Sequence, residues 1–137
     1  MIVVDSNVIA YCWINGPLTP LAQRVRRIDP DWHAPLLWRS EMRNILLGYI
    51  RDGSLTRLQA ARISARSEAA LNDREHLPIA ESVIDVAIGS HLSAYDSEFA
   101  TLALTLGVPL VTADRAVLKA FPADAMSMET FVRGRLS

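Results

Sequence analysis

The chain has 137 residues, the usual size of one domain, in which a single core buries roughly two thirds of the unfolded chain's surface. Half of the residues are hydrophobic and 21% are charged, so apolar burial can offset the ordering entropy that leaves polar chains disordered. A formal net charge of −1 excludes bulk electrostatic attraction to nucleic acid, and any such binding has to be local.

In chain order, Ile2-Val3-Val4 is a β-branched run that halts at Asp5, the pattern of a buried strand with an acid at its carboxyl end. A helical stretch follows from about Pro20 to Ile28, then an extended piece from Trp32 to Ala34. From Leu36 to Ile50 the residues Trp38, Met42, Ile45, Leu46, Tyr49 and Ile50 recur at helical spacing, and Asp52-Gly53 closes the segment. Leu55 to Leu71 predicts a second helix rich in Ala and Arg, and Glu75 to Ile79 a short strand. Val83 to Leu92 and Tyr95 to Leu106 both show helical spacing, with Gly107 placed as a C-terminal cap. Val108 to Val111 reads as a strand running into Asp114, Arg115 to Ala120 as a short helix, and Ala125 to Met128 as a final strand. Such alternation predicts an α/β sandwich with a parallel sheet, formed by residues 1–137 as one domain. In open parallel sheets the active crevice lies beyond the carboxyl ends of the strands, where Asp5 and Asp114 fall.

No apolar run approaches the roughly 18 residues of a bilayer span, and Met1-Ile2-Val3-Val4-Asp5 lacks the basic opening of a signal peptide. Cys12 has no second cysteine to pair with, and His33, His76 and His91 are scattered without zinc-type spacing. These features predict a cytoplasmic protein. Lys119 is the only lysine, the other basic residues being arginines. Arginine's planar fork suits phosphate, although a compositional bias of the genome produces the same excess.

Four acids stand out, each with a structural alternative. Asp5 ends an apolar strand, where Asp is depleted, yet Asp5 or Asn7 also fits as a cap of the next helix. Glu41 lies at the edge of an apolar helix face, or pairs with Arg39 or Arg43 while its stem snorkels. Asp96 follows Ser93 by three residues, as in a capping box, and Asp114 suits the cap of its short helix, helped by Thr112. Brought together by an α/β fold, two carboxylates about 5 Å apart repel by roughly 3 kcal/mol at an effective dielectric near 20. A cluster of four therefore calls for a hard divalent cation, Mg²⁺ or Mn²⁺, which suits phosphodiester hydrolysis.

At these residues the sequence resembles the PIN-domain ribonucleases, and most closely the VapC-type toxins of bacterial toxin–antitoxin pairs. The matching pieces are Val3-Val4-Asp5-Ser6-Asn7-Val8-Ile9, Ser40-Glu41-Met42-Arg43-Asn44, Ser93-Ala94-Tyr95-Asp96-Ser97-Glu98-Phe99-Ala100 and Pro109-Leu110-Val111-Thr112-Ala113-Asp114. Their order spans residues 1 to about 130. The resemblance implies a three-layer sandwich with a central, mainly parallel sheet flanked by helices. It also implies that Asp5, Glu41, Asp96 and Asp114 hold Mg²⁺ or Mn²⁺ and that a metal-activated water hydrolyses RNA. Asn7 and Thr112 match polar positions that orient the acids or waters, whereas Glu98, two residues from Asp96, is read as a surface residue pointing elsewhere. The family further suggests a homodimer and a cognate antitoxin whose C-terminal segment lies across the cleft.

Arg39, Arg43, Arg115 and Lys119, near the acids in sequence, are the candidates for RNA contact. Trp13 suits either base stacking or packing. A partner helix finds a groove between the apolar face of Trp38, Met42 and Tyr49 and the helix from Leu55 to Leu71. Two other readings compete. Haloacid-dehalogenase-like phosphatases also carry an Asp at the end of the first strand, but commonly have a second Asp where Asn7 stands here. An inactive PIN-like binding module would keep the scaffold without cleavage.

Overall fold

Ile2, Val3 and Val4 are all fully buried, and because successive strand residues face opposite sides, β1 (Ile2–Val4) is covered on both faces. The computed structural model describes residues 1–134; residues 135–137 of the expected domain lie outside it. The described chain continues through α1 (Ser6–Trp13), α2 (Thr19–Ile28), β2 (Trp32–Pro35), α3 (Trp38–Arg51), α4 (Arg57–Leu71) and β3 (Glu75–His76). It ends with α5 (Ala80–Ser90), α6 (Ala94–Leu106), β4 (Leu110–Val111), α7 (Arg115–Ala120), β5 (Ala125–Met126) and α8 (Met128–Gly134).

The strands form one parallel sheet in the order β3-β2-β1-β4-β5. Val3 stands opposite His33 on one side and Leu110 on the other. From β1 the chain steps outward to β2 and β3, then restarts on the opposite side at β4, so the strand order reverses between β1 and β4. That reversal opens a crevice beyond the carboxyl ends of the two strands. The α6 helix packs on β1, β2 and β4 with α5 against it, while α1 packs with α2, α3 and α4, and α8 with α2. Helices on both sides of a parallel sheet make the three-layer α/β sandwich expected from the alternating pattern.

Local chemistry sets the helix ends. Thr56 and Gln59 form a reciprocal capping box that starts α4, and Gly107 ends α6 with φ +66°, a left-handed conformation costly for residues bearing a Cβ.

Several boundaries differ from the sequence reading. The strand expected over Glu75 to Ile79 stops at His76; Pro78, which has no N–H to give a ladder, follows it closely. Leu36 precedes α3, and its N–H donates to His76 O at 2.8 Å, prolonging the sheet. The strand at Ala125 stops at Met126, and Met128 instead begins α8. Helix α1 shows no clean amphipathic pattern because Ser6, Val8, Ile9, Ala10 and Cys12 are all buried. Trp38 and Met42 are core residues, 0% and 1% exposed, so they cannot line a groove for a partner helix; of that face only Tyr49 is exposed.

The edge strand β3 is held by side chains. Arg39 donates to both Glu75 oxygens at 2.6 Å, and Trp38 Nε1 donates to Glu75 Oε2 at 2.8 Å. The next residue, His76, meets His33 with ring nitrogens 2.8 Å apart, and His33 in turn contacts Asp31 at 2.8 Å. No helix among the described residues is long and apolar enough to cross a membrane.

Candidate active site

Asp5 leaves the sheet directly after β1, its own N–H still donating to Val111 O at 3.2 Å. Its Oδ1 caps α1 by accepting from Val8 N–H at 2.9 Å. Its Oδ2 accepts from the Thr112 hydroxyl and, at 3.3 Å, from Ala113 N–H. The capping role and the site role therefore coexist on one carboxylate. Asp114 behaves similarly at the start of α7, where its Oδ1 accepts from Ala116 and Val117 N–H at 2.8 and 3.1 Å.

Glu41 comes from the first turn of α3 and accepts from Ser6 Oγ at 2.6 Å. Neither Arg39 nor Arg43 pairs with it: Arg39 is bound to Glu75, and Arg43 donates to Glu68 at 3.3 Å. Asp96 sits in the first turn of α6, where Ser93 Oγ accepts its backbone N–H at 3.1 Å. All four acids, separated by up to 109 positions in sequence (114 − 5), line one cavity of about 420 Å³. Asn7 and Thr112 line it as well, and no basic side chain among the described residues does.

The shared environment shifts the protonation of Asp5, Glu41 and Asp96. Burial pushes the Asp5 carboxyl above its ordinary range against the bonds from Thr112, Val8 and Ala113, and the charge of Asp114 adds to the rise. Burial also raises Glu41, helped by Asp96, Asp5 and Glu98 and opposed by the Ser6 bond. Asp96 is raised by burial and then by Asp114. Perturbed groups of like charge in one cleft mark a functional-site candidate.

Glu98, read from the sequence as pointing elsewhere, does not line the cavity; it is half-buried, burial raises its carboxyl, and its charge adds to the rise at Glu41. Ser6, Ser40, Asn44 and Tyr95 also line the cavity and were not singled out as site residues from the sequence. For Asn44 a signal existed: it follows Ser40 by four and Glu41 by three, which sets all three on neighbouring helix positions. Arg39, Arg43, Arg115 and Lys119 do not line the cavity; the first two are in ion pairs, and Arg115 and Lys119 are exposed on α7.

The donor set, all carboxylate oxygen, is of the kind that Mg²⁺ or Mn²⁺ takes. Glu41 Oε2 and Asp114 Oδ2 accept no hydrogen bond from any described residue, which leaves them available to a cation. No three His, Cys, Asp or Glu side chains among the described residues stand close enough to form a closed metal-binding group. The acids surround the cavity without meeting at a point, as mutual repulsion favours. The buried thiol of Cys12 is pushed up to about 11 by burial and takes no part here.

No family model matches the chain, and no curated protein matches it. Among solved structures it is similar to the crystal structure of PAE2754 from Pyrobaculum aerophilum, with a TM-score of 0.78 and 22% identity over 99% of this chain and 97% of that one. At this identity the likeness shows a common fold.

Proposed function

We propose that this chain is a PIN-type ribonuclease that uses Mg²⁺ or Mn²⁺ to hydrolyse RNA phosphodiester bonds, and that it acts in the cytoplasm as the toxin of a type II toxin–antitoxin pair. The observation that carries the reading is the convergence of Asp5, Glu41, Asp96 and Asp114 on one cavity without a basic side chain among its described lining residues. When bound, a divalent cation supplies Lewis acidity to the phosphate and acidifies water near neutral pH.

The chain's own residues fix the donors. Val8, Thr112 and Ala113 hold Asp5, Ser6 holds Glu41, and the first amides of α7 hold Asp114. Held carboxylates lose less freedom when they engage a ligand, so their orientation is largely set in advance. Exposed Asn7 offers an amide beside Asp5 for a phosphate oxygen or a water. The negative cavity also suits inhibition by a cognate antitoxin that brings an Arg or Lys to the acids. A homodimer is the proposed assembly, by the same resemblance.

The test is cleavage of a panel of structured RNAs by the purified chain with Mn²⁺ or Mg²⁺ and in excess EDTA. Metal-dependent cleavage, absent in EDTA, is the expected result. Undiminished cleavage in EDTA overturns the mechanism. Hydrolysis of a small phosphomonoester with RNA left intact transfers the chain to the phosphatase reading, and no hydrolysis of either leaves a binding module.

A further inference from the structure

The acidic cavity cannot hold the backbone of a polyanion unaided, and the four basic residues nearest the acids in sequence do not line it. A different set of arginines lies at the far end of a series of adjoining hollows that begins at it. Asn7 and Ile45 wall both the acidic cavity and a neighbouring one; Ile14 and Tyr49 connect that to the next; Trp13 and Arg66 connect the third to a cleft of about 660 Å³. The path follows α1 from Asn7 in its first turn to Trp13 at its end, and the helix's eight residues rise about 12 Å. That is roughly three to four nucleotides at the stacked spacing of about 3.4 Å.

Arg26, Arg27, Arg62 and Arg66 wall the last two hollows, and all four are exposed. Arg62 and Arg66 are one turn apart on α4, so like charges share a helix face that repulsion disfavours. Arg39, Arg43 and Arg74 each have a carboxylate partner, whereas these four have none among the described residues. Arg26 lies over Trp13 with its guanidinium carbon 4.9 Å from the ring centroid. A guanidinium seated on an aromatic face keeps the N–H groups along its edge available to an oxyanion. Trp13 itself packs edge-on against Trp32 at 5.9 Å, which fixes the platform. On a chain of net charge −1 such an unpaired concentration is a local device, not a consequence of overall basicity.

We infer that this arginine cleft at the end of α1 binds the sugar-phosphate backbone of single-stranded RNA and leads the strand along α1 to the acidic cavity. The inference rests on the ribonuclease reading for its direction, but binding is separable from cleavage. The four guanidinium groups hold phosphates through paired N–H donors, and the groove beside Ile14 and Tyr49 accommodates the intervening nucleotides.

The experiment is fluorescence anisotropy of a fluorescein-labelled 12-nucleotide single-stranded RNA titrated with the full chain in EDTA, so that no cleavage intrudes, at several salt concentrations. The double variant Arg62→Glu/Arg66→Glu is expected to bind at least tenfold more weakly. Its salt dependence should be shallower by roughly 1.4 in log–log slope, about 0.7 for each single-strand phosphate that is no longer neutralised. Arg62→Lys/Arg66→Lys keeps the charge and should recover most of the affinity, which separates a weakened grip on phosphate from an unfolded chain. Arg57→Glu and Arg133→Glu, exposed arginines outside the cleft, should bind as the parent does. Equal binding by the double variant and the parent overturns the inference, as does a parent that binds no RNA or binds poly-glutamate as tightly. If the parent binds RNA, the double variant does not, and neither cleaves with Mn²⁺, the cleft assignment stands and the ribonuclease reading fails.

Discussion

The hydroxyl of Thr112, just past β4, donates to Asp5 at the end of β1, and the same oxygen accepts the backbone N–H of Asp114 at 3.0 Å. One buried side chain thus ties together two acids that lie on opposite sides of the strand-order reversal. Thr112→Val keeps the shape of the side chain and removes both bonds. Loss of a buried hydrogen bond costs about 1 kcal/mol, and removal of a group that orients a metal ligand typically lowers activity by about 10 to 100-fold. Thr112→Ser should retain most of both. Melting curves and initial cleavage rates check this, and a Val variant as active as the parent would remove Thr112 from the site.

Asp5→Asn should abolish cleavage without loss of fold. Asn is as good a helix cap as Asp; its amide nitrogen gives up the acceptor that Oδ2 offers Thr112 and Ala113, a loss offset by removal of a charge whose burial, with Asp114 nearby, disfavours ionisation. In EDTA its melting temperature should equal or exceed that of the parent. A variant that unfolds would assign Asp5 to structure alone, and one that still cleaves would remove it from the chemistry.

Mn²⁺ should stabilise the folded chain by mass action, about 2.7 kcal/mol at 100 times its dissociation constant. Asp5→Asn and Glu41→Gln should each shrink the shift in melting temperature, because both carboxylates line the cavity. Equal Mn²⁺ shifts in the parent and both variants would place the ion elsewhere.

Glu75→Ala should be among the more damaging single changes outside the acidic cavity. It leaves the Nε1 of fully buried Trp38 and the Arg39 guanidinium without their acceptor, a loss of about 2 to 4 kcal/mol. Arg39→Ala should cost less, since Trp38 keeps its bond. Chemical denaturation of the two variants gives the comparison, and a larger loss for Arg39→Ala would reverse this account of the β3 edge.

Acid should weaken the same edge in two stages. Burial and then the neighbouring His33 hold His76 below its ordinary 6.5, so below that pH the unfolded chain binds more protons than the folded one. Stability is therefore full above about 6.5 and falls as the pH drops into the His76 range. Burial raises Glu75, but the bonds from Arg39 and Trp38 outweigh it and hold the carboxyl below its ordinary 4.5. Its contribution is present above 4.5 and is lost as the pH falls through the lowered value. His76→Gln should flatten the loss of melting temperature between about pH 7 and 5.5 while leaving the later stage. Parallel curves for parent and variant would show that the His33–His76 contact carries no pH dependence.

Much of the scaffold is legible from local pattern. Strand β1 shows as a β-branched run ending in an acid, α3 as a stripe at helical spacing, and the end of α6 as a glycine, because each signal lies within a few residues and reports which face is buried. Helix α1 is given no range from the sequence: five of its eight positions are buried and only Asn7 is exposed, which blurs the periodicity. Glu98, two residues past Asp96 and so about 200° further round the helix, stays out of the cavity, but what stands on its own side is not written in that spacing.

The sequence by itself determines the alternation of elements, the parallel sheet and the four acids that stand at element ends or at the edge of an apolar face. Only the tertiary structure decides what each charge meets. Arg39 and Glu75 are 36 positions apart, and Thr112 and Asp5 are 107; His33 and His76, scattered in sequence, share a contact. The unpartnered arginines around Trp13 likewise emerge only when α2 and α4 are set beside the end of α1. Hydrophobic periodicity encodes how strongly a position seeks the interior, whereas the partner of a polar group depends on the path of the whole chain, which no local window contains.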